Sequence, residues 1–167
     1  KDSVRIRFVS SEKDIKMYFD SEVINMILDN LISNAIKYTD RGEIKVCVER
    51  VCHDGHRMVQ IGVHDTGYGI SADALPHIFE RYYQEKSAHQ ASGTGIGLAL
   101  VKSLVELHHG QILVDSSIET GSHFIVILDE DYIYPDALHG EQNIDDSENT
   151  EGPSATNEKR EDTDDNS

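Results

Sequence analysis

The feature of this sequence that most constrains its fold is a pair of alternating apolar runs on either side of Asp54-Gly55. The run "EIKVCVERV" alternates apolar and polar residues from Ile44 to Val48, and "RMVQIGVHD" does the same from Val59 to Val63. Such alternation predicts strands with one buried face. An Asp-Gly pair between two strands is a strong signal for a tight hairpin. The chain is therefore predicted to contain an antiparallel sheet built around this hairpin.

Two further segments precede the hairpin. "SVRIRFVS" and "DIKMYFD" each have the apolar spacing of a short strand. A helix is then predicted from about Glu22 to Lys37, with Asp20 or Ser21 as its N-cap and a break at Asp40–Gly42.

After the hairpin the order of elements favours an α+β fold. "ADALPHIFERYYQ" predicts a short helical stretch interrupted by Pro76, and a longer helix is predicted from about Gly97 to His109, ended by Gly110. "QILVDSS" and "SHFIVIL" are two more strands, joined at Thr120-Gly121. We predict a two-layer α/β sandwich, in which a mixed sheet of about five strands packs against about three helices.

The acidity of the chain is concentrated at its C-terminal end. The formal net charge is −16, and residues 129–167 hold 14 of the 31 acidic residues but only two of the 15 basic ones. That composition offers little apolar surface to offset ordering entropy. We predict a folded domain over residues 1–130 and an acidic, disordered tail or linker over 131–167. Contacts with nucleic acid, which need a basic face, and direct membrane contact are not expected.

The first helix carries two separate stripes. Ile24, Leu28, Leu31 and Ala35 form an apolar stripe, and Asn30, Asn34 and Lys37 fall on another side. Interior Asn residues lower helix propensity. Two interpretations follow: a polar solvent-facing surface, or a site where amide oxygens bind Mg²⁺ and the ammonium group contacts phosphate.

Two glycine-rich segments complete the candidate site. In "HDTGYGI" a strand ends at Asp65, whose carboxylate either forms a simple turn or accepts hydrogen bonds from an exocyclic amine such as that of adenine. In "SGTGIGLALV" glycines precede a helix N-terminus, which favours an anion or serves as a flexible hinge. This segment lacks the Lys of a Walker loop and the third glycine of a dinucleotide loop, where Leu98 stands.

Taken together and in this order, the motifs resemble those of the ATP-binding catalytic domain of sensor histidine kinases, a Bergerat-type nucleotide fold. "NLISNAIKYT" is similar to the N box of that family, and "DTGYGI" and "GTGIGLALV" to its two glycine boxes. "IFERYYQ" resembles the F box, and "GSHF" the closing small-residue motif. The resemblance covers about Val4 to Leu128, and its wording is most similar to hybrid sensor kinases of Bacteroidetes.

The resemblance implies roles for individual residues. Asn34 would be the Mg²⁺ ligand with Asn30 beside it, Asp65 would bind the adenine amine, and a lid would run from Phe79 to about Ser92. The full set of implied ATP-binding residues is Asn30, Asn34, Lys37, Tyr38, Asp65, Gly67, Gly69, Ile70, Phe79, Arg81, Tyr83, Gly93, Thr94, Gly95, Ile96, Gly97 and Leu98.

The resemblance also implies the reaction and the partners. The family transfers the γ-phosphoryl of ATP to a His on a helical dimerisation domain, a step in which positioning and electrostatics dominate. No His of this chain lies in the family's acceptor motif, so none is expected to act as a nucleophile, and the chain alone is expected to bind ATP and Mg²⁺ without autophosphorylation. The expected partners are that helical domain and a downstream receiver domain. The fragment alone is expected to be a monomer. The full-length protein is expected to be a homodimer anchored in the inner membrane, with this domain on the cytoplasmic side.

Three alternatives share the fold. A topoisomerase or mismatch-repair ATPase would have a catalytic Glu where this chain has Asn30, followed by a transducer domain. A degenerate module used for protein contacts would not need Asn34, Asp65 and the glycines. A serine kinase or anti-sigma factor is a closer relative, against which the F box and the long second glycine box argue.

Overall fold

A computed structural model describes residues 3–86 and 95–132, and it places a single five-stranded sheet beneath two α-helices. The strand order is β1-β2-β3-β5-β4. The strands are β1 Val4–Ser10, β2 Gly42–His53, β3 His56–Asp65, β4 Gln111–Ser117 and β5 Gly121–Asp129; the helices are α1 Ser21–Tyr38 and α2 Gly97–Leu107, with one turn of 3₁₀ helix at Leu75–His77.

The sheet is mixed, as predicted. β1 runs parallel to β2 with Val4 opposite Gly42, and the other three pairs of neighbouring strands are antiparallel. Asp54 and Gly55 both have positive φ, of 50° and 79°, which is the geometry of the tight hairpin turn that matches strand twist. The β2–β3 hairpin expected from the alternating runs is therefore confirmed.

Both helices cover the same face of the sheet, so the core forms one layer between the helices and the sheet. α1 buries Ile27, Leu31 and Ala35, and α2 buries Ala99, Val101 and Val105. The sheet contributes every second residue of its central strands, namely Ile44, Val46, Val59, Ile61, Val63, Phe124, Val126 and Leu128. This is the α+β sandwich that the sequence predicts. No helix in the part of the chain that the structure describes is long and apolar enough to cross a membrane.

Asp20 is the N-cap of α1, and its carboxylate accepts hydrogen bonds from the backbone N–H groups of Glu22 and Val23. This is the expected N-cap geometry. The backbone N–H of Asp20 in turn donates to Nε2 of His108, 3.2 Å away, at the C-cap of α2. The start of α1 and the end of α2 are therefore joined by a direct hydrogen bond.

The end of α2 differs from the prediction in one respect. The sequence predicts a helix to about His109 that is ended by Gly110, whereas α2 ends at Leu107 and His109 takes the left-handed conformation, with φ of 51°. Gly110 instead donates its N–H to the carbonyl of Val105. A Cβ at Gly110 would lie 2.6 Å from Leu128 Cδ2, so the glycine is required by close packing against β5.

Two other predictions about local structure were wrong. The segment 14–20, expected to be a strand, has no strand partner; it is an irregular connection that packs Ile15 and Met17 against the core. The helical stretch around Pro76 is limited to the 3₁₀ turn at Leu75–His77. Its backbone bonds span three residues, as in His77 N–H to the Ala74 carbonyl, which is the tighter 3₁₀ geometry.

Candidate functional site

The polar stripe of α1 meets the N-terminus of α2 at Asn30. Asn30, Asn34 and Lys37 are spaced by four and three residues, so they lie on one side of the helix. The side-chain amide of Asn30 donates from Nδ2 to the Met26 carbonyl at 2.7 Å. A flipped amide would bring two acceptor oxygens together, so Oδ1 must point away from that carbonyl.

The Asn30 oxygen points toward Gly97, the first residue of α2. A Cβ built on Gly97 would lie only 3.1 Å from Asn30 Oδ1. Among the residues that the structure describes, no side chain caps this helix end, and the first turn of α2 contains no acidic residue. The open N–H groups and the helix dipole therefore favour an anion at this point.

The donor set at this junction fits Mg²⁺. Mg²⁺ prefers oxygen ligands and keeps several waters, so one or two protein oxygens beside phosphate are sufficient. Asn30 offers a carbonyl oxygen already turned toward the helix end, and Asn34 lies one turn further along the same face. No cluster of three or more His, Cys, Asp or Glu that could hold a metal occurs within residues 3–86 and 95–132.

Asp65 ends β3 on the inner face of the sheet and is 4% exposed. Its Oδ1 accepts a hydrogen bond from the Gly67 N–H at 2.9 Å. Burial raises the pKa of this carboxyl, while the backbone N–H groups of Gly67 and Ser122 and the nearby His64 act in the opposite direction. The result is a buried acceptor group in a fixed position.

The two glycines of the loop after Asp65 are required by close backbone contacts. A Cβ at Gly67 would lie 2.2 Å from the Tyr38 carbonyl oxygen, at the end of α1. Gly69 has φ of +73°, and a Cβ there would lie 1.9 Å from the Ser117 carbonyl oxygen. The loop is therefore wedged between α1 and the end of β4, and Ile70, which follows it, packs against the core.

The residues predicted to flank the lid have different environments. Phe79 and Tyr83 pack against the core, and the Phe79 ring meets Phe124 edge to face, whereas Arg81 is exposed. Phe79 is thus placed mainly as an anchor. The backbone N–H of Tyr82, a residue with φ of 65°, donates to the Gly95 carbonyl at 2.9 Å.

That bond brings the two ends of the intervening segment together. Ile96 is exposed and Leu98 packs against the core. Gly93 and Thr94, also predicted to bind ATP, lie outside the described residues.

These groups lie along one side of α1. The loop at Gly67 touches Tyr38 at the C-terminal end of the helix, and Gly97 touches Asn30 eight residues earlier. At 1.5 Å per residue the two points are about 12 Å apart, a span that suits a nucleoside triphosphate. The structure therefore brings Asp65 and its glycines to one end of a polar strip, and Asn30 and the α2 N-terminus to the other.

Sequence reasoning missed three hydroxyl residues beside this strip. Thr39 is fully buried directly after α1, and a Cβ at Gly67 would lie 2.8 Å from its Oγ1. Ser122 is opposite Asp65 in the β3–β5 pairing, and Ser116 is opposite Ser122 in the β4–β5 pairing. Single Ser and Thr residues form no sequence pattern. Placing Ser116 and Ser122 beside Asp65 requires the registers of β5 against β3 and of β4 against β5, which no local signal provides.

Comparison with known proteins gives consistent matches over this region. The family model of histidine kinase-, DNA gyrase B-, and HSP90-like ATPases matches residues 19–132. The autoinducer 2 sensor kinase/phosphatase LuxQ of Vibrio vulnificus is 40% identical over 119 residues, covering 69% of this chain and 14% of LuxQ. The sensor histidine kinase YvrG of Bacillus subtilis is 36% identical over 125 residues, covering 74% of this chain and 21% of YvrG.

Solved structures superpose on most of the same region. The nucleotide-free catalytic domain of the histidine kinase ThkA superposes with a TM-score of 0.64 at 26% identity, covering 77% of this chain and 81% of that one. Full-length ShkA in complex with AMPPNP gives a TM-score of 0.62 at 29% identity, covering 76% of this chain and 26% of that one. The chain thus spans a small part of LuxQ, YvrG and ShkA, and most of the ThkA catalytic domain.

Proposed function

Because the chain belongs to the family of histidine kinase-, DNA gyrase B-, and HSP90-like ATPases, we propose that it binds ATP with Mg²⁺ and delivers the γ-phosphoryl group to a His on a separate domain. Its relatives are sensor histidine kinases of two-component signalling. The chain is accordingly a histidine-kinase-type ATPase catalytic domain.

The observation that carries the proposal is the polar strip along α1, with a buried carboxylate at one end and an open helix N-terminus at the other. At the first end, the carboxylate of Asp65 is an acceptor suited to the adenine amine. Gly67 and Gly69 allow the loop to pack closely against the Tyr38 and Ser117 carbonyls, which fixes its backbone beside Asp65. Full-length ShkA, a structural relative, was solved with the ATP analogue AMPPNP.

At the other end, the α2 N-terminus and the Asn30 oxygen would hold the phosphates and the metal. Asn30 and Asn34 would bind Mg²⁺, and Lys37, three residues further along the stripe, would add a positive charge. When bound, Mg²⁺ neutralises charge on the phosphate oxygens. The chain's own contribution is to position the triphosphate with backbone N–H groups and amide oxygens, which is the main requirement of phosphoryl transfer.

The acceptor is proposed to lie on a helical dimerisation domain of the longer protein. His108 is unsuited to the role because it is 3% exposed and caps α2 while accepting a hydrogen bond from Asp20. The absence of the acceptor motif from the sequence supports the same interpretation. Transfer of labelled γ-phosphate to the isolated chain would contradict it.

Other parts of the proposal concern the longer protein. A receiver domain, a homodimeric assembly, an inner-membrane anchor with this domain on the cytoplasmic side, and an origin in a hybrid sensor of Bacteroidetes all stay predictions. So do the division into a domain over 1–130 with a tail over 131–167 and the roles of the individual site residues.

The test is titration of the chain with ATP, in Mg²⁺ and in EDTA, for wild type, Asn34→Ala and Asp65→Asn. Asn34→Ala should weaken binding roughly tenfold in Mg²⁺, the equivalent of about 1.4 kcal/mol, and much less in EDTA. Asp65→Asn should weaken binding in both buffers, because the Gly67 N–H would hold the single carbonyl oxygen and leave the N–H₂ group, which cannot accept a hydrogen bond, toward adenine.

The matched control is Asn25→Ala. Asn25 lies nine residues before Asn34, on the opposite side of the same helix, and is exposed. The Asn25→Ala variant should bind ATP like wild type. A wild-type chain that shows no ATP binding in either buffer would refute the proposed function, and equal binding by all variants would refute the site.

A further inference from the structure

The Ser116 hydroxyl lies at the centre of a small hydrogen-bond network behind the candidate base site. Its Oγ lies 2.8 Å from the Ile70 N–H, 2.8 Å from the Gly121 carbonyl oxygen and 2.9 Å from the Ser122 hydroxyl. Ile70 follows the glycine loop, and Gly121 and Ser122 begin β5. One side chain therefore connects the loop to the β4–β5 hairpin.

The chemistry of these partners fixes the direction of each proton. A hydroxyl has one proton and two acceptor lone pairs. The Ile70 N–H can only donate and the Gly121 carbonyl can only accept, so the one arrangement in which all three contacts are hydrogen bonds has the Ser116 proton on Gly121. The remaining lone pair of Ser116 then accepts the proton of Ser122. All three capacities of Ser116 are used.

Ser122 is left with acceptor lone pairs beside Asp65. The two residues are direct partners across β3 and β5, so their side chains lie on the same face of the sheet. Both are buried, at 7% and 4% exposure. An ionised carboxylate is also acceptor-only, so neither side chain can donate a hydrogen bond to a ligand placed here.

We propose that Ser116 determines base specificity by holding Ser122 as an acceptor, so that the site takes a base with an exocyclic amine and rejects one with a carbonyl oxygen at that position. This inference rests on the proposed function and adds its selectivity. ATP carries the amine, whereas ITP carries an oxygen there. Buried acceptors facing that oxygen would have no hydrogen-bond partner, which is costly.

The experiment compares the dissociation constants of ATP and ITP, each with Mg²⁺, at about pH 8, where carboxyl groups are ionised. Wild type should bind ATP roughly tenfold or more tightly than ITP. In Ser116→Ala the Ser122 hydroxyl can turn and donate to the ITP oxygen, so the preference for ATP should fall roughly fivefold, the value of one hydrogen bond.

Three further variants make the test specific. Ser116→Cys keeps the side-chain shape with a poor acceptor and should also lower the preference, and it supplies the measurement if Ser116→Ala does not fold. In a Ser122→Ala background, Ser116→Ala should leave the preference unchanged, because the hydroxyl it orients is gone. Ser117→Ala, which removes a neighbouring hydroxyl that contacts Thr120 instead, should match wild type.

The possible failures are distinguishable. If wild type binds neither nucleotide, the proposed function is overturned together with the inference. If wild type prefers ATP and the preference survives in both Ser116→Ala and Ser116→Cys, the site stands and the role of Ser116 is overturned. A merely structural Ser116 would weaken both nucleotides alike and leave their ratio constant.

Discussion

The stability of this domain is expected to decrease below pH 6.5 because His108 must be neutral in the folded state. The ring is 3% exposed, and its Nε2 accepts the Asp20 N–H. Burial lowers the pKa of His108 from its ordinary value of 6.5; neighbouring His109 adds to this, and Asp20 and the Leu104 carbonyl oppose it.

The sign and size of the effect follow from proton linkage. With a folded pKa below 6.5, the unfolded chain binds more protons in the interval between the two values. The contribution of His108 is therefore complete above pH 6.5 and is lost as the pH falls through the folded pKa. One group changes the free energy of unfolding by at most about 1.4 kcal/mol per pH unit.

Protonation also has a local consequence. A proton on Nε2 would face the Asp20 N–H and remove a hydrogen bond worth about 1 kcal/mol. Asp20 caps α1 through Glu22 and Val23, so the N-terminal turn of the helix that carries Asn30 would loosen first.

The assay is urea unfolding at about pH 7.5, 6.5 and 5.5 for wild type, His108→Gln and His53→Gln. The Gln oxygen of His108→Gln can accept the Asp20 N–H but does not titrate. The wild-type free energy should fall more steeply with acid than that of His108→Gln. His53→Gln is the control, because the His53 side chain is 81% exposed. Its free energy of unfolding should fall with acid as steeply as that of wild type. Parallel curves for wild type and His108→Gln would refute the reasoning.

Two further predictions concern backbone geometry. Gly69→Ala should weaken ATP binding at least tenfold in the titration, because a Cβ would collide with the Ser117 carbonyl. Gly55→Ala is the control, because Gly55 has the same left-handed conformation but open space around it. That variant should lose about 1 kcal/mol of stability on urea unfolding and bind ATP normally. Glu119→Gly should raise the free energy of unfolding by roughly 1 kcal/mol on urea unfolding, because Glu119 has φ of 65°, a left-handed conformation that glycine adopts without strain. An unchanged free energy would show that the backbone at Glu119 is not strained.

The sequence predicted elements whose signals are local. The Asp54-Gly55 turn requires two residues with positive φ, and the sequence provides suitable residues at those positions. The Asp20 cap and the apolar stripe of α1 are equally local. The order of the elements then limited the fold to a sandwich with helices on one face.

The errors arose where tertiary contacts override local preference. Ile15 and Met17 alternate as strand residues do, but they pack on the core without a neighbouring strand. Gly110 was assigned to helix termination, whereas His109 takes the left-handed position and Gly110 is required by Leu128. The role of Ser116 depends on the β4–β5 register, which no local pattern encodes.

The hydrogen bond between the Tyr82 N–H and the Gly95 carbonyl joins the chain that follows β3 to the residues just before α2. Because the bond joins Tyr82 and Gly95 directly, it fixes the distance between these two residues whatever sequence separates them. Doubling the length of a flexible loop costs only about 0.6 kcal/mol of closure entropy. An insertion between these two residues is therefore expected to cost the folded domain little stability.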